Sequence, residues 1–254
     1  MGHTRARQGP GRRASGFSLT ELAVVITIVG LLLGSLTYTL SAQVEQRNRS
    51  ETDRRLADAR ELLLGFAIAN GRLPCPSTAA SAGDEAPGGG GACTTYYAGF
   101  LPAKAIGYQP TDAAGFAVDS WGNRIRYSVS ATTWSAGAGR FTTTHTTSAW
   151  SLTQAPADLV VCTRTPTPVT NTACDAGTSV TNTSTVLAIV FSTGKNGATG
   201  GTGTNEAENL EGDQLFVSRA PDPASATGGE FDDQMVWIPV GLLYGRMVAA
   251  GILP

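Results

Sequence analysis

Arg12-Arg13-Ala14-Ser15-Gly16-Phe17-Ser18-Leu19-Thr20-Glu21-Leu22 begins the stretch that decides the fold of this chain. A basic leader ends in Gly16-Phe17, a single carboxylate follows at Glu21, and no further charge appears until Glu45. A carboxylate at the edge of a membrane-length apolar helix costs on the order of several kcal/mol in hydrocarbon, so a chain that keeps one there has a use for it. Residues 17–70 read as one long helix, with no proline between Phe17 and Asn70. Its first part, about 22–42, is nearly uniformly apolar, as a bilayer span requires. Gly30 and Gly34 loosen that half without breaking it. The second part is amphipathic: Leu56, Ala59, Leu63, Phe66 and Asn70 recur at helical spacing, while Arg54, Arg55, Asp58 and Glu61 take the other faces. Asn70-Gly71 followed by Leu73-Pro74 is a natural stop. A helix of this length would run roughly 80 Å, so about half of it would project beyond a bilayer.

An ordinary cleaved secretory signal has a shorter apolar core followed by small residues at the cut. Leu40-Ser41-Ala42 is a poor version of that site, and the helical pattern runs straight through it. Neither such a signal nor a plain anchor accounts for Gly16-Phe17 with Glu21 at its offset. The pattern resembles the processing and assembly signal of type IV pilins and of the pseudopilins of type II secretion. The resemblance implies that a prepilin peptidase cuts between Gly16 and Phe17 and that the new amino terminus is methylated. It implies that Glu21, the fifth mature residue, faces the N-terminal amine of a neighbouring subunit in the filament. Opposite charges attract strongly in low dielectric and each alone is expensive to bury, so the pair selects the stacking register.

Bulk composition agrees with an exported subunit. Residues 1–16 hold Arg5, Arg7, Arg12 and Arg13 and no acid; without them 14 basic residues stand against 20 acidic ones, a net charge near −6. An acidic chain gives no electrostatic case for tight nucleic-acid binding. The basic leader fits the positive-inside rule, with the amino terminus cytoplasmic and the remainder outside. About 200 residues remain for a head, enough for one domain with a real core. Its four cysteines suit an oxidising compartment. Cys75 and Cys93 flank a loop rich in Gly, Ala and Ser; Cys162 and Cys174 flank one rich in Thr and Pro. Local pairing is the cheapest connectivity in loop entropy, although the sequence does not fix it. Zinc is the rival reading, but no CxxC spacing exists and His3 and His145 are the only histidines.

Strands are expected over 124–130, 141–144, 150–153, 159–163, 186–192, 214–218 and 235–240, with a closing amphipathic helix over 240–250. Ile125, Tyr127 and Val129 alternate with Arg124, Arg126 and Ser128, the mark of a half-buried strand. Asp119-Ser120-Trp121-Gly122-Asn123 is similar to a turn of many pseudopilins and reads as structural, with the Trp entering the core. After Phe191-Ser192-Thr193-Gly194-Lys195-Asn196-Gly197 comes a glycine-rich region holding Glu206, Glu208, Glu211, Asp213, Glu230, Asp232 and Asp233. The major pseudopilin of type II secretion has a comparable loop that binds calcium, which implies Asp213, Asp232 and Asp233 as ligands here. Calcium suits such a loop because it takes about six to eight oxygens in loose geometry. The spacing of the acids departs from that pattern, and no EF-hand is present. Gly194-Lys195 lacks the following Ser or Thr of a phosphate loop. His145 sits alone in a Thr run and no Gly-x-Ser-x-Gly elbow appears, so no enzyme is expected.

The expected fold is α+β: a long N-terminal helix, membrane-spanning and then amphipathic, packed on an antiparallel β-sheet head with disulfide-closed loops. Residues 1–16 are a cleaved leader, 17–70 the helix, and 71–254 a periplasmic head. The expected function is structural, a pseudopilin of type II secretion or a minor type IV pilin in the bacterial inner membrane. Its expected partners are the prepilin peptidase, other pilin-like subunits and the inner-membrane assembly platform. The alternative is a minor-pilin binding module whose head recognises a surface, a secreted substrate or DNA.

Overall fold

The computed structural model describes residues 16–133, 140–144, 157–201 and 203–252, without the side chains of residues 35–40. The leader before Gly16, His145 and the strand expected over 150–153 lie outside them. The elements in chain order are α1 (Leu19–Asn70), β1 (Gly99–Phe100), α2 (Ala103–Ile106), β2 (Arg126–Val129), β3 (Val160–Cys162), β4 (Val186–Ser192), α3 (Thr204–Glu208), β5 (Leu215–Val217), β6 (Gln234–Pro239) and α4 (Val240–Ala249). The chain divides into two compact units between Gln46 and Arg47, a boundary inside α1.

In the first unit α1 presents Leu22, Val24, Val25, Ile26, Ile28, Leu31, Leu32 and Leu33 to the outside; Leu31 is 71% exposed. Among the described residues no helix is long and apolar enough to cross a membrane. The described side chains of the apolar run stop at Gly34, so the span expected over 22–42 falls partly outside them.

In the second unit α1 buries one stripe. Leu56, Ala59 and Leu63 are fully enclosed, joined by Leu64, Ala67 and the polar Thr52. Phe66 is only partly buried and Asn70 is exposed, so the stripe turns through Ala67 instead of running straight to Asn70. The Asn70 amide donates to the Phe66 carbonyl at 2.9 Å. Gly71 adopts φ of 66° and its N–H reaches Ala67 O at 2.9 Å, which ends the helix as the sequence suggests.

Four strands form an antiparallel sheet in the order β1-β2-β4-β6. In β4 every residue is buried. Leu187, Ala188 and Val190 share a core with Leu56, Leu63, Ile238, Leu243 and Met247, so α1 and α4 cover one face. Val186, Ile189 and Phe191 share another with Leu159, Val161 and Phe216, so β3 and β5 cover the opposite face. Coverage of both faces is why β4 reads as a continuous apolar run and not an alternating one.

The sheet on which α1 packs is antiparallel, as expected; the separate pair on its far side is not, since β3 and β5 run parallel with Val161 opposite Phe216. Parallel partners need a long crossover, and the segment carrying β4 and α3 supplies it. Residues 141–144 form a turn, not a strand. Phe141 O and Thr142 O accept from Leu73 N at 2.8 Å and Gly91 N at 2.7 Å, so their backbone ties two loops together.

Disulfides join Cys75 to Cys93 and Cys162 to Cys174. Just before the first loop, Arg72 donates to both carboxylate oxygens of Glu85 inside it, at 2.7 and 2.6 Å. The N–H groups of Cys75 and Gly89 donate to the same carboxylate. Burial alone would raise the Glu85 carboxyl, but the Arg72 hydrogen bond and charge and these N–H groups outweigh it and hold it below its ordinary value.

Candidate functional site

Three constellations stand out, and the first is the amino-terminal edge of α1. Ser18 is its N-cap. The Ser18 hydroxyl accepts the Glu21 N–H at 3.2 Å, and Glu21 Oε2 accepts the Ser18 N–H at 2.9 Å. This reciprocal pair is a capping box, which satisfies two of the free donors at a helix start. Ser18-Leu19-Thr20-Glu21 carries the Ser-x-x-Glu spacing of this motif. Phe17 is 88% exposed. A Cβ added at Gly16 would meet nothing within 4 Å, so the chain's own fold does not require glycine there. Any demand for a small residue at 16 comes from whatever grips this segment.

The second is the Asp119 turn. Asp119 Oδ1 accepts the N–H groups of Trp121 and Asn123 at 2.9 and 2.8 Å, while Oδ2 accepts the Ser192 hydroxyl at 2.6 Å. Asn123 donates to Gly194 O at 2.6 Å. Arg55 donates to the carbonyls of Val118 and Asp119, and Ser120 donates to Asn48 O. The turn is thus a clasp between α1 and the end of β4. Trp121 remains half-buried on it instead of entering the core, because the clasp is tied through polar groups.

The third is the acidic region, and it separates into two clusters. Carboxylate oxygens of Glu206, Asp232 and Asp233 lie within 4.8 Å of one another, all three residues being buried; those of Glu208, Glu211 and Asp213 do the same. Asp213 therefore stands apart from Asp232 and Asp233, with which the sequence reading grouped it. Glu206, at the start of α3, takes its place: it accepts the Asp232 N–H at 2.9 Å and the side-chain amide of Asn196 at 3.0 Å. Periodicity gives no sign of a helix as short as α3, which is why Glu206 was missed as a member. Burial pushes the Asp233 carboxyl up to about 8, with the charges of Glu206 and Asp232 adding to it against an Asn209 hydrogen bond. Asp232 is pushed up to about 6, first by burial, against the N–H of Lys195 and with the Glu206 charge. Asp232 Oδ1 has no hydrogen-bond partner among the described residues. A buried trio of carboxylates with an orphaned oxygen fits a hard cation.

The prokaryotic N-terminal methylation motif matches residues 11–37. This is the prepilin-type cleavage and methylation signal of type IV pilins and pseudopilins. No curated protein and no solved structure matches the chain.

Proposed function

We propose, from the methylation motif over residues 11–37, that this chain is a pilin-like subunit of a type IV filament machine. Its role is structural and not catalytic. The prepilin peptidase cuts between Gly16 and Phe17, and the Phe17 amine is methylated. The subunit then rests in the inner membrane by a single pass with its head in the periplasm. An assembly platform extracts it, and other pilin-like subunits cover the apolar face of α1. The exposure of Leu22, Ile26 and Leu31 supports this reading, since such a surface needs lipid or neighbouring helices around it. Glu21 meets the Phe17 amine of an adjacent subunit, and the capping box with Ser18 holds its carboxylate at the helix edge beforehand.

The machine is a type II secretion system, with this chain as a pseudopilin, or a type IV pilus, with this chain as a minor pilin. Crosslinking in membranes separates them by whether secretion-platform or pilus proteins co-purify. Calcium, where bound, would be held by the carboxylates of Glu206, Asp232 and Asp233, which lie within 4.8 Å of one another.

The carrying observation is the motif, and intact mass tests it. The mature protein is expected to begin at a methylated Phe17, and Gly16→Leu to remain uncut. A mature terminus near Gln43 would refute the assignment.

A further inference from the structure

We propose a second cation site on the turn that leaves α3, where Glu208, Glu211 and Asp213 hold a hard divalent cation, calcium. It is separate from the trio of Glu206, Asp232 and Asp233 and does not depend on the pilin-like reading.

Glu208 is the last residue of α3, and the chain then turns tightly through Gly212, at φ of 84°, before entering β5. The turn brings one oxygen from each of the three acids within 4.8 Å of the others. Two of those side chains are incomplete as they stand. Glu208 is 2% exposed, yet its Oε1 has no hydrogen-bond partner among the described residues. Asp213 Oδ1 accepts the Leu215 N–H at 2.8 Å, but its buried Oδ2 has no partner among them. Buried polar atoms in a folded protein are nearly always paired, so two orphaned oxygens in one cluster point to a missing positive partner.

Among the described residues no such partner reaches them. Among the described residues none of the three acids is in an ion pair. Arg164 and Arg219 line the adjoining cavity of about 610 Å³, together with Glu208 and Glu211. Both arginines are engaged elsewhere, Arg164 with Asp175 at 3.0 Å and Arg219 with Asp222. Burial, and then the charges of Glu211 and Asp213, push the Glu208 carboxyl up to about 7, against a hydrogen bond from the Thr165 side chain. The cavity and the exposed Glu211 give a small ion a way in.

The donor set selects the ion. All donors are carboxylate oxygens, and the four cysteines are spent in disulfides, so thiophilic metals find no ligand. Three acids on one turn, with water completing the shell, suit calcium's loose geometry better than the strict octahedron of magnesium.

Equilibrium dialysis of chelator-stripped, detergent-solubilised full-length protein against radiolabelled calcium tests the site. Glu208→Gln and Asp213→Asn are each expected to bind one calcium fewer than wild type, whatever Asp232→Asn does. Glu211→Gln keeps the ion, with its dissociation constant raised roughly tenfold. Hydrogen exchange of the wild type supplies a reading free of any variant: calcium is expected to slow the amides between Leu210 and Leu215. The proposal is overturned if Glu208→Gln and Asp213→Asn bind as much calcium as wild type. It is equally overturned if wild type binds none, if a folded Asp232→Asn protein loses all of it, or if those amides exchange at the same rate with and without calcium.

Discussion

Glu21 does two things that separate variants can tell apart. Its carboxylate closes the capping box on Ser18, and in the proposed filament it faces a neighbour's amine. Glu21→Leu is expected to insert in the membrane, since it removes a penalty there, but to assemble poorly. Glu21→Asp, one methylene shorter, should keep part of the function. Ser18→Ala weakens the cap, at a cost of about 1 kcal/mol, and leaves the charge in place. Subunit recovered in sheared filaments measures all three; a Ser18→Ala defect as deep as that of Glu21→Leu would reduce the glutamate to a local cap. Glu85 makes a pH prediction. Its folded-state carboxyl lies below its ordinary 4.5, so the stability it adds is present above about that pH and is lost as the pH falls through the lower folded value. The melting temperature of the wild type should drop on acidification below pH 4.5, and that of Glu85→Gln should change less across the same window. At neutral pH Glu85→Gln should cost roughly 3 kcal/mol, because the buried Arg72 guanidinium is left without its ion pair.

Elements differ in how plainly the sequence announced them. α1 and β4 were readable because each has a local signature: a helical stripe with a Gly71 stop, and a long apolar run. β1, α2 and α3 have between two and five residues each, too few for any period to show. The parallel pairing of β3 with β5 is a long-range event that neither strand's own sequence records. The same reason hid the division of the acids. Which carboxylates meet depends on where α3 turns and where the chain returns at Asp232. The α1 stripe itself can be tested. Leu63→Ala removes a fully enclosed side chain facing the sheet and should lower stability by about 2–5 kcal/mol in chemical denaturation. Val248→Ala on α4, where the side chain is 49% exposed, should change it by under about 0.5 kcal/mol. Comparable losses at the two positions would mean that α1 does not anchor the sheet.

For the whole head, the two disulfides close stretches separated by 18 and 12 positions, each worth about 3 kcal/mol by chain-entropy arithmetic. Non-reducing mass should show no free thiol and four hydrogens fewer than the reduced chain, and reduction should lower the melting temperature with or without chelator. A head whose melting ignores reduction would show that its core stands without the staples. The pairing of Arg246 on α4 with Glu61 on α1, 185 positions apart, sets an order in time. The stripe on α1 is made early and part of its cover late, since Ile238, Leu243 and Met247 all belong to the last strand and helix. As the chain emerges from amino to carboxyl end, closure must wait for its final segment, and contacts this distant in sequence form slowly. Until then Leu56, Leu63 and Leu64 have only part of their cover, and they offer an apolar surface to a chaperone or protease.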